Sequence, residues 1–326
     1  MLTVVLGLAG ALFYGFADFL GGLASRRISA LRVTALGAIS GVVLLYLGTF
    51  VIAGEWSREA IIWGALSGVT GAAAIALLYA CLAIGPMSIL SPLTAVTSAI
   101  VPLTWGLVTG SQLGAIAYPA FALALVAVVL VGFVPSKEAV RPTLAGLTMA
   151  TISGMLIGAF YILIDQTPDD SGLVPLVTNR LVNASIMITL IVVMAVVAAR
   201  RHVRSTDAPL AVLDGTHGAP HALAGDPAPG APGRDGLLRA SAAALRGGWR
   251  GGLLLGIGCG VLDAIANVIV LIGLRVGDLT IVSVLTALYP AGTILLAALV
   301  LRERIATLQW VGLALALAAS AMLAAA

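Results

Sequence analysis

The chain has 326 residues, 60% of them apolar and only 10% charged, with a mean hydropathy of +1.12. Soluble chains carry roughly 25% charged residues, so 17 Lys and Arg with 14 Asp and Glu cannot coat a water-soluble protein of this size. A cytosolic enzyme, a disordered chain and a nucleic-acid binder are excluded; the net charge of +3 is too small to argue for a nucleic-acid partner.

A bilayer core about 30 Å thick needs about 20 apolar residues per helix. Ten such segments follow one another, over residues 2–23, 33–53, 60–83, 88–109, 113–134, 143–164, 173–199, 252–274, 279–301 and 307–325. The runs are continuous, which excludes alternating membrane β-strands. The first is not read as a cleavable signal peptide, because no basic residue precedes it while Arg26 and Arg27 follow. The chain is therefore expected to be an all-α integral membrane protein of ten transmembrane helices, multi-pass in the cell membrane, with the lipid bilayer as its main partner. All five Trp (Trp56, Trp63, Trp105, Trp249, Trp310) fall near span ends, where interfacial anchors belong.

One connection differs. Residues 200–250 are rich in Ala, Gly, Pro and Arg, without apolar periodicity, and read as a disordered loop. All three histidines (His202, His217, His221) lie there. The i, i+4 spacing of His217 and His221 would suit a metal on a helix, but the Pro-rich context argues against it. Cys81 and Cys259 sit alone in apolar runs and form no CxxC site. No metal or cofactor is expected.

Sliding the chain against itself by 192 residues superposes Gly85 on Gly277 and Ser91-Pro-Leu-Thr-Ala95 on Ser283-Val-Leu-Thr-Ala287. Spans three and four thus recur as eight and nine, and the chain divides into two sets of five. Residues 1–136 form the first repeat, 137–199 open the second, 200–250 interrupt it and 251–326 complete it. Five is odd, so the second set enters the membrane inverted. Loop charges agree. Arg26, Arg27 and Arg32 follow span one, while Asp165, Asp169 and Asp170 follow span six. The connections after spans one, three, five, seven and nine hold every basic residue except Arg58, Arg180 and Arg275. The positive-inside rule puts that side in the cytoplasm and both termini outside.

The stretch Gly277 to Pro290 (GDLTIVSVLTALYP), followed by Leu301 to Gly312 (LRERIATLQWVG), resembles the closing motif of EamA-type carriers of the drug/metabolite transporter superfamily. The first half departs from it, with Gly110-Ser-Gln112 where the Arg-Glu-Arg would stand. Relatives are commonly described with cytoplasmic termini, opposite to the charge distribution. The resemblance implies a ten-helix carrier that moves small organic molecules, usually outward, by alternating access, as a monomer or homodimer. The inverted halves reach the same class physically, since they can exchange roles around a midplane site.

Three formal charges lie within the spans: Asp18, Arg180 and Asp263. Each costs about 2.5–3.5 kcal/mol near a helix centre, so each should face protein or a water-filled cavity. Cys259, Asp263 and Asn267 recur every four positions along one face. They either line a cavity or form a structural cluster in which Asp263 pairs with Arg180. Asp18 shares a face with Tyr14 but stands near its span end, where an interfacial carboxylate is the plainer reading. Asn179, Arg180 and Asn183 form a polar patch. Tyr161, Tyr289 and Trp105 are candidates to stack on cargo, against the commoner role of packing. If protons drive export, a carboxylate must alternate between protonated and ionised states, with Asp263 first and Asp18 second as candidates. Gly248, Gly252, Gly256 and Gly260, with Gly64/Gly68 and Gly154/Gly158, allow close helix contacts. Pro92, Pro102 and Pro290 should loosen spans four and nine.

An intramembrane enzyme would need a His, Asp, Glu or Ser constellation at membrane depth, and H-E-x-x-H, G-x-S-x-G and Walker-A motifs are absent. A sensor or scaffold predicts no substrate flux. Within carriers, uptake of a sugar or other nutrient competes with export. With one intramembrane Arg and few carboxylates, neutral or zwitterionic molecules such as amino acids are the expected small-molecule substrates.

Overall fold

The computed structural model describes residues 1–25, 27–28, 30–84, 87–111, 113–132, 142–206, 234–300 and 306–325. Among them there is no strand. The helices are α1 (Leu2–Ser25), α2 (Ala30–Gly48), α3 (Arg58–Ile84), α4 (Met87–Thr109), α5 (Ala117–Gly132), α6 (Leu144–Asp165), α7 (Val174–Thr206), α8 (Arg234–Val276), α9 (Leu279–Thr286), α10 (Tyr289–Val300) and α11 (Thr307–Ala325). Seven spans, counting Leu279–Val300 as one, are long and apolar enough to cross a membrane; Arg32–Gly48, Ala117–Gly132 and Val174–Leu190 are apolar but shorter.

Two expectations are corrected. Span nine is two helices, broken at Ala287 and Leu288. Pro290 has no N–H to give the Thr286 carbonyl, and the chain instead tightens, with Leu288 N donating to Leu285 O at 3.1 Å and Ala291 N to Leu288 O at 2.9 Å. The helix α4 runs on through Pro92 and Pro102. Within the segment expected to lack structure over 200–250, residues up to Thr206 continue α7 and residues from Arg234 begin α8, while 207–233 lie outside the described residues. Residues 234–250 are rich in Ala, Leu and Arg, good helix formers that outweigh the scattered glycines. His217, His221 and Glu303 lie outside the described residues.

Packing does not follow chain order. One group comprises α3, α4, α6 and α7; the other comprises α1, α2, α8, α9 and α10. The pairs α2–α7 and α4–α9 join them, and α5, packed on α11, touches α4 of one group and α10 of the other. Glycine makes the close approaches possible. On α3, a Cβ at Gly64 would stand 2.6 Å from Pro175 O, and one at Gly68 2.6 Å from Asn179 O, both on α7. On α8, Gly256 faces Val33 and Leu36, and Gly260 faces Gly37 and Ser40, all on α2. Between α1 and α10, Gly15 meets Gly292, and Thr293 Oγ1 donates to Gly15 O at 3.1 Å.

The connections after α2, α6 and α8 gather at one end, which we call the Asp165 end. There Glu55 N donates to Asp170 O at 3.0 Å, Arg275 Nη2 donates to Ser171 Oγ at 2.9 Å, and Thr3 sits against Gly277. At the opposite, Arg27 end, Arg27 lies beside Gly251. The apolar cores divide unevenly between these ends. Near Asp165, one core draws Tyr161, Ile164, Leu173 and Leu176 from the first group together with Leu45, Leu271, Leu274 and Leu279 from the second. Near Arg27, each group keeps its own: Ala24, Ile28 and Val33 in one, Cys81, Leu90 and Ala150 in the other. A further core joins α1, α4, α5, α9 and α11.

The closing motif has a structural duty. Gln309 Oε1 accepts from Ala306 N at 3.1 Å, its Nε2 donates to Val131 O at 3.4 Å, and Gly312 lies against Val131. Gln309 and Gly312 thereby tie α11 to α5.

Candidate functional site

Polar side chains from both helix groups converge near mid-bundle. Arg180 Nη2 on α7 forms an ion pair with Asp263 Oδ2 on α8, the side chains being 12% and 29% exposed. Asn267, one turn along α8, donates from Nδ2 to Asp263 O at 2.7 Å and to its Oδ2 at 3.4 Å. Asp263 is thus held by a neighbour on its own helix and by a cation from the other group. Asp263 is paired with Arg180 and keeps an accessible flank. Arg180 Nε is buried and has no acceptor, so the guanidinium has donor capacity to spare.

Tyr14 on α1 and Tyr161 on α6 are hydrogen-bonded through their hydroxyls. This bond also joins the two groups. Asp18 and Tyr289 lie within electrostatic reach of each other, and Asp18 also reaches Asp263, Tyr161 and Cys259. Cys259 is partly exposed, with Gly21 of α1 against its sulfur.

The position of Asp18 decides what surrounds it. Val4, Ala11 and Asp18 recur every seven residues and so share a face of α1. Val4 and Ala11 are buried, while Leu2, Val5 and Leu12 mark the outward face. Asp18 therefore points inward, yet it is exposed, and a Cβ on Gly22, one turn beyond, would meet nothing within 4 Å. An inward-facing carboxylate with free surface lines a crevice. Among the described residues Asp18 has no hydrogen-bond or ion-pair partner. It is not the interfacial carboxylate that its place near the span end suggested. With both carboxylates ionised, Asp18, Asp263 and Arg180 together carry one net negative charge.

Other candidates fall elsewhere. Asn179 donates to Ser67 Oγ at 2.8 Å and Asn183 packs beside Gly71, so both face α3 and are buried. The sequence patch at 179–183 splits, because a helix turns about 100° per residue and only Arg180 reaches the central group. Trp105 lies at the Asp165 end, lining a cleft of about 390 Å³ with Thr109, Ser111, Asp165, Gln166 and Asp278. An adjoining cleft of about 200 Å³ is lined by Asp165, Asp169 and Arg275. Among the described residues no His, Cys, Asp and Glu grouping has the geometry to hold a metal.

Residues 237–325, covering α8 to α11, match the model of the EamA-like transporter family. The match spans less than a third of the chain and supports an EamA-type member of the drug/metabolite transporter superfamily, a family of membrane transporters. A protein of known crystal structure superposes with a TM-score of 0.61 at 13% identity, over 98% of this chain and 95% of that one, a likeness of fold alone. No curated protein matches the sequence.

Proposed function

We propose that the chain is a secondary carrier of ten membrane spans in two inverted five-helix repeats, exporting small amino-acid-like molecules by alternating access around the Arg180–Asp263–Asp18 cluster. The observation that carries this reading is the uneven closure about that cluster. One apolar core seals the two helix groups together near Asp165, while near Arg27 each group has a core of its own, Asp18 is exposed, and a Cβ on Gly22, one turn beyond it, would meet open space. Rocking one group against the other around the cluster would exchange the sealed and open ends.

The packing supports the inverted repeat. The pairing of α1 with α8 is matched by that of α6 with α3, and α3 with α7 by α8 with α2. These are the same contacts with the halves exchanged. A cation beside two carboxylates suits a zwitterion, with Arg180 opposite its carboxylate and Asp18 opposite its ammonium. An uncharged sugar would leave those charges unanswered, which disfavours nutrient uptake of that kind. Asp18, unpaired and exposed, is better placed than the ion-paired Asp263 to exchange a proton. Counterflow in proteoliposomes with a panel of amino acids, sugars and cationic dyes tests the reading. Accelerated exchange is expected with amino acids, and no exchange with any of the panel would overturn it.

A further inference from the structure

The Arg180–Asp263 pair occupies an unusual place. The helices that carry it, α7 and α8, are not packed together; α7 lies on α3 and α2, and α8 on α1 and α2. The same holds for α1 and α6, which the Tyr14–Tyr161 bond connects. Static polar glue is usually found where helices already touch. Here the polar bonds link helices that are not packed on each other, and so tie the two helix groups together beside the core that seals the Asp165 end.

We propose that the Arg180–Asp263 ion pair is a substrate-operated latch, in which a carboxylate on the transported molecule takes Arg180 from Asp263 and so frees the two helix groups to part at the Asp165 end. The proposal rests on the carrier reading and adds what triggers its movement. Asp263 is a resident carboxylate occupying the group that the incoming one needs. Arg180 meets it through Nη2 and keeps 12% of its side chain exposed, so a carboxylate entering on that side can bind before the old bond is lost. The Asn267 bonds keep Asp263 on α8 when Arg180 leaves. Competition of this kind makes the opening depend on what is bound, because a ligand shifts a two-state equilibrium only by its difference in affinity for the two states. An amine without a carboxylate has nothing to offer Arg180 and leaves the latch closed.

The chain supplies a reporter for each end. Cys259 is partly exposed toward the crevice while Cys81 is buried, and Leu274 lies within the seal. The full-length protein is placed in lipid nanodiscs, where both faces are accessible, and labelled with a membrane-impermeant maleimide. One form is unaltered and reports at Cys259; the other carries Leu274→Cys with Cys259→Ala. Propionate is expected to slow labelling at Cys259 and speed it at the Leu274→Cys site, each by about tenfold, within the usual span of coupling between sites. Propylamine is expected to change neither. Asp263→Asn should mimic propionate without ligand. The latch is overturned if propionate has no effect, if propylamine acts equally, or if Asp263→Asn leaves both rates unchanged. The propionate measurement at Cys259 needs no substitution and stands if a variant fails to fold. Counterflow without a labelling response refutes the latch alone. A labelling response without counterflow refutes the carrier reading.

Discussion

Gly68 on α3 and Gly260 on α8, 192 positions apart, make matching contacts: Gly68 lies against Asn179 of α7 and Gly260 against Gly37 of α2. Gly64 and Gly256, also 192 apart, face Pro175 and Val33 respectively, the first at 2.6 Å from a built Cβ and the second at 3.9 Å. Overfilling a close-packed contact typically costs about 1–3 kcal/mol. Gly68→Val and Gly260→Val should each lower the melting temperature of the detergent-solubilised protein, and by similar amounts if the halves are related. Gly22→Ala, which enters open space, should leave it unchanged. A harmless Gly260→Val would contradict the contact.

The Tyr14–Tyr161 bond should behave as one unit. Removing either hydroxyl breaks it, so Tyr14→Phe, Tyr161→Phe and the double variant should lose nearly the same stability, about 0.5–1.5 kcal/mol. Thermal melts around the double-mutant cycle would read this. Additive losses would mean that the hydroxyls act separately.

Asp18→Asn keeps the shape of the side chain but can neither ionise nor carry a proton. In proteoliposomes it should lose accumulation driven by a pH gradient, while counterflow, which needs no coupling, should persist but half-saturate at a higher amino-acid concentration, because the ammonium loses its carboxylate. Asp263→Asn should impair both, since it also releases Arg180. Gradient-driven accumulation at full strength in Asp18→Asn would remove that residue from the coupling step.

The charges at the two ends make a topological prediction. The Asp165 end holds Glu55, Glu59, Asp165, Asp169, Asp170 and Asp278 against Arg58 and Arg275, so the positive-inside rule puts it outside. Alkaline phosphatase fused after the last residue should be active and green fluorescent protein at the same place dark. The reverse pair of results would place both termini in the cytoplasm.

Helix positions were legible in the sequence because apolar run length reports directly on membrane crossing. The break at Ala287 was foreshadowed by Pro290, but Pro92 and Pro102 carry the same warning on α4 without breaking it. A missing N–H does not say whether neighbours will hold the helix straight. The central site was half legible. Charges at membrane depth stand out, and Asp263, Asn267 and Cys259 share a face by spacing alone. The partner of Asp263 depends on how α7 and α8 are placed by α2 and α3, which no local pattern encodes. The surroundings of Asp18 were not legible, because distance along a helix measures depth, whereas its surroundings depend on what lies opposite. The Asn179–Ser67 bond was invisible for the same reason.

The exchange of partners between the halves bears on how the chain is made. While the ribosome is still on the first five helices, α1 lacks α8, α3 lacks α6 and α5 lacks α11, so nearly every small-residue groove faces lipid. Tertiary structure must wait until the later helices arrive from the insertion machinery. A fragment ending before α6 should be a quality-control substrate rather than half a working protein.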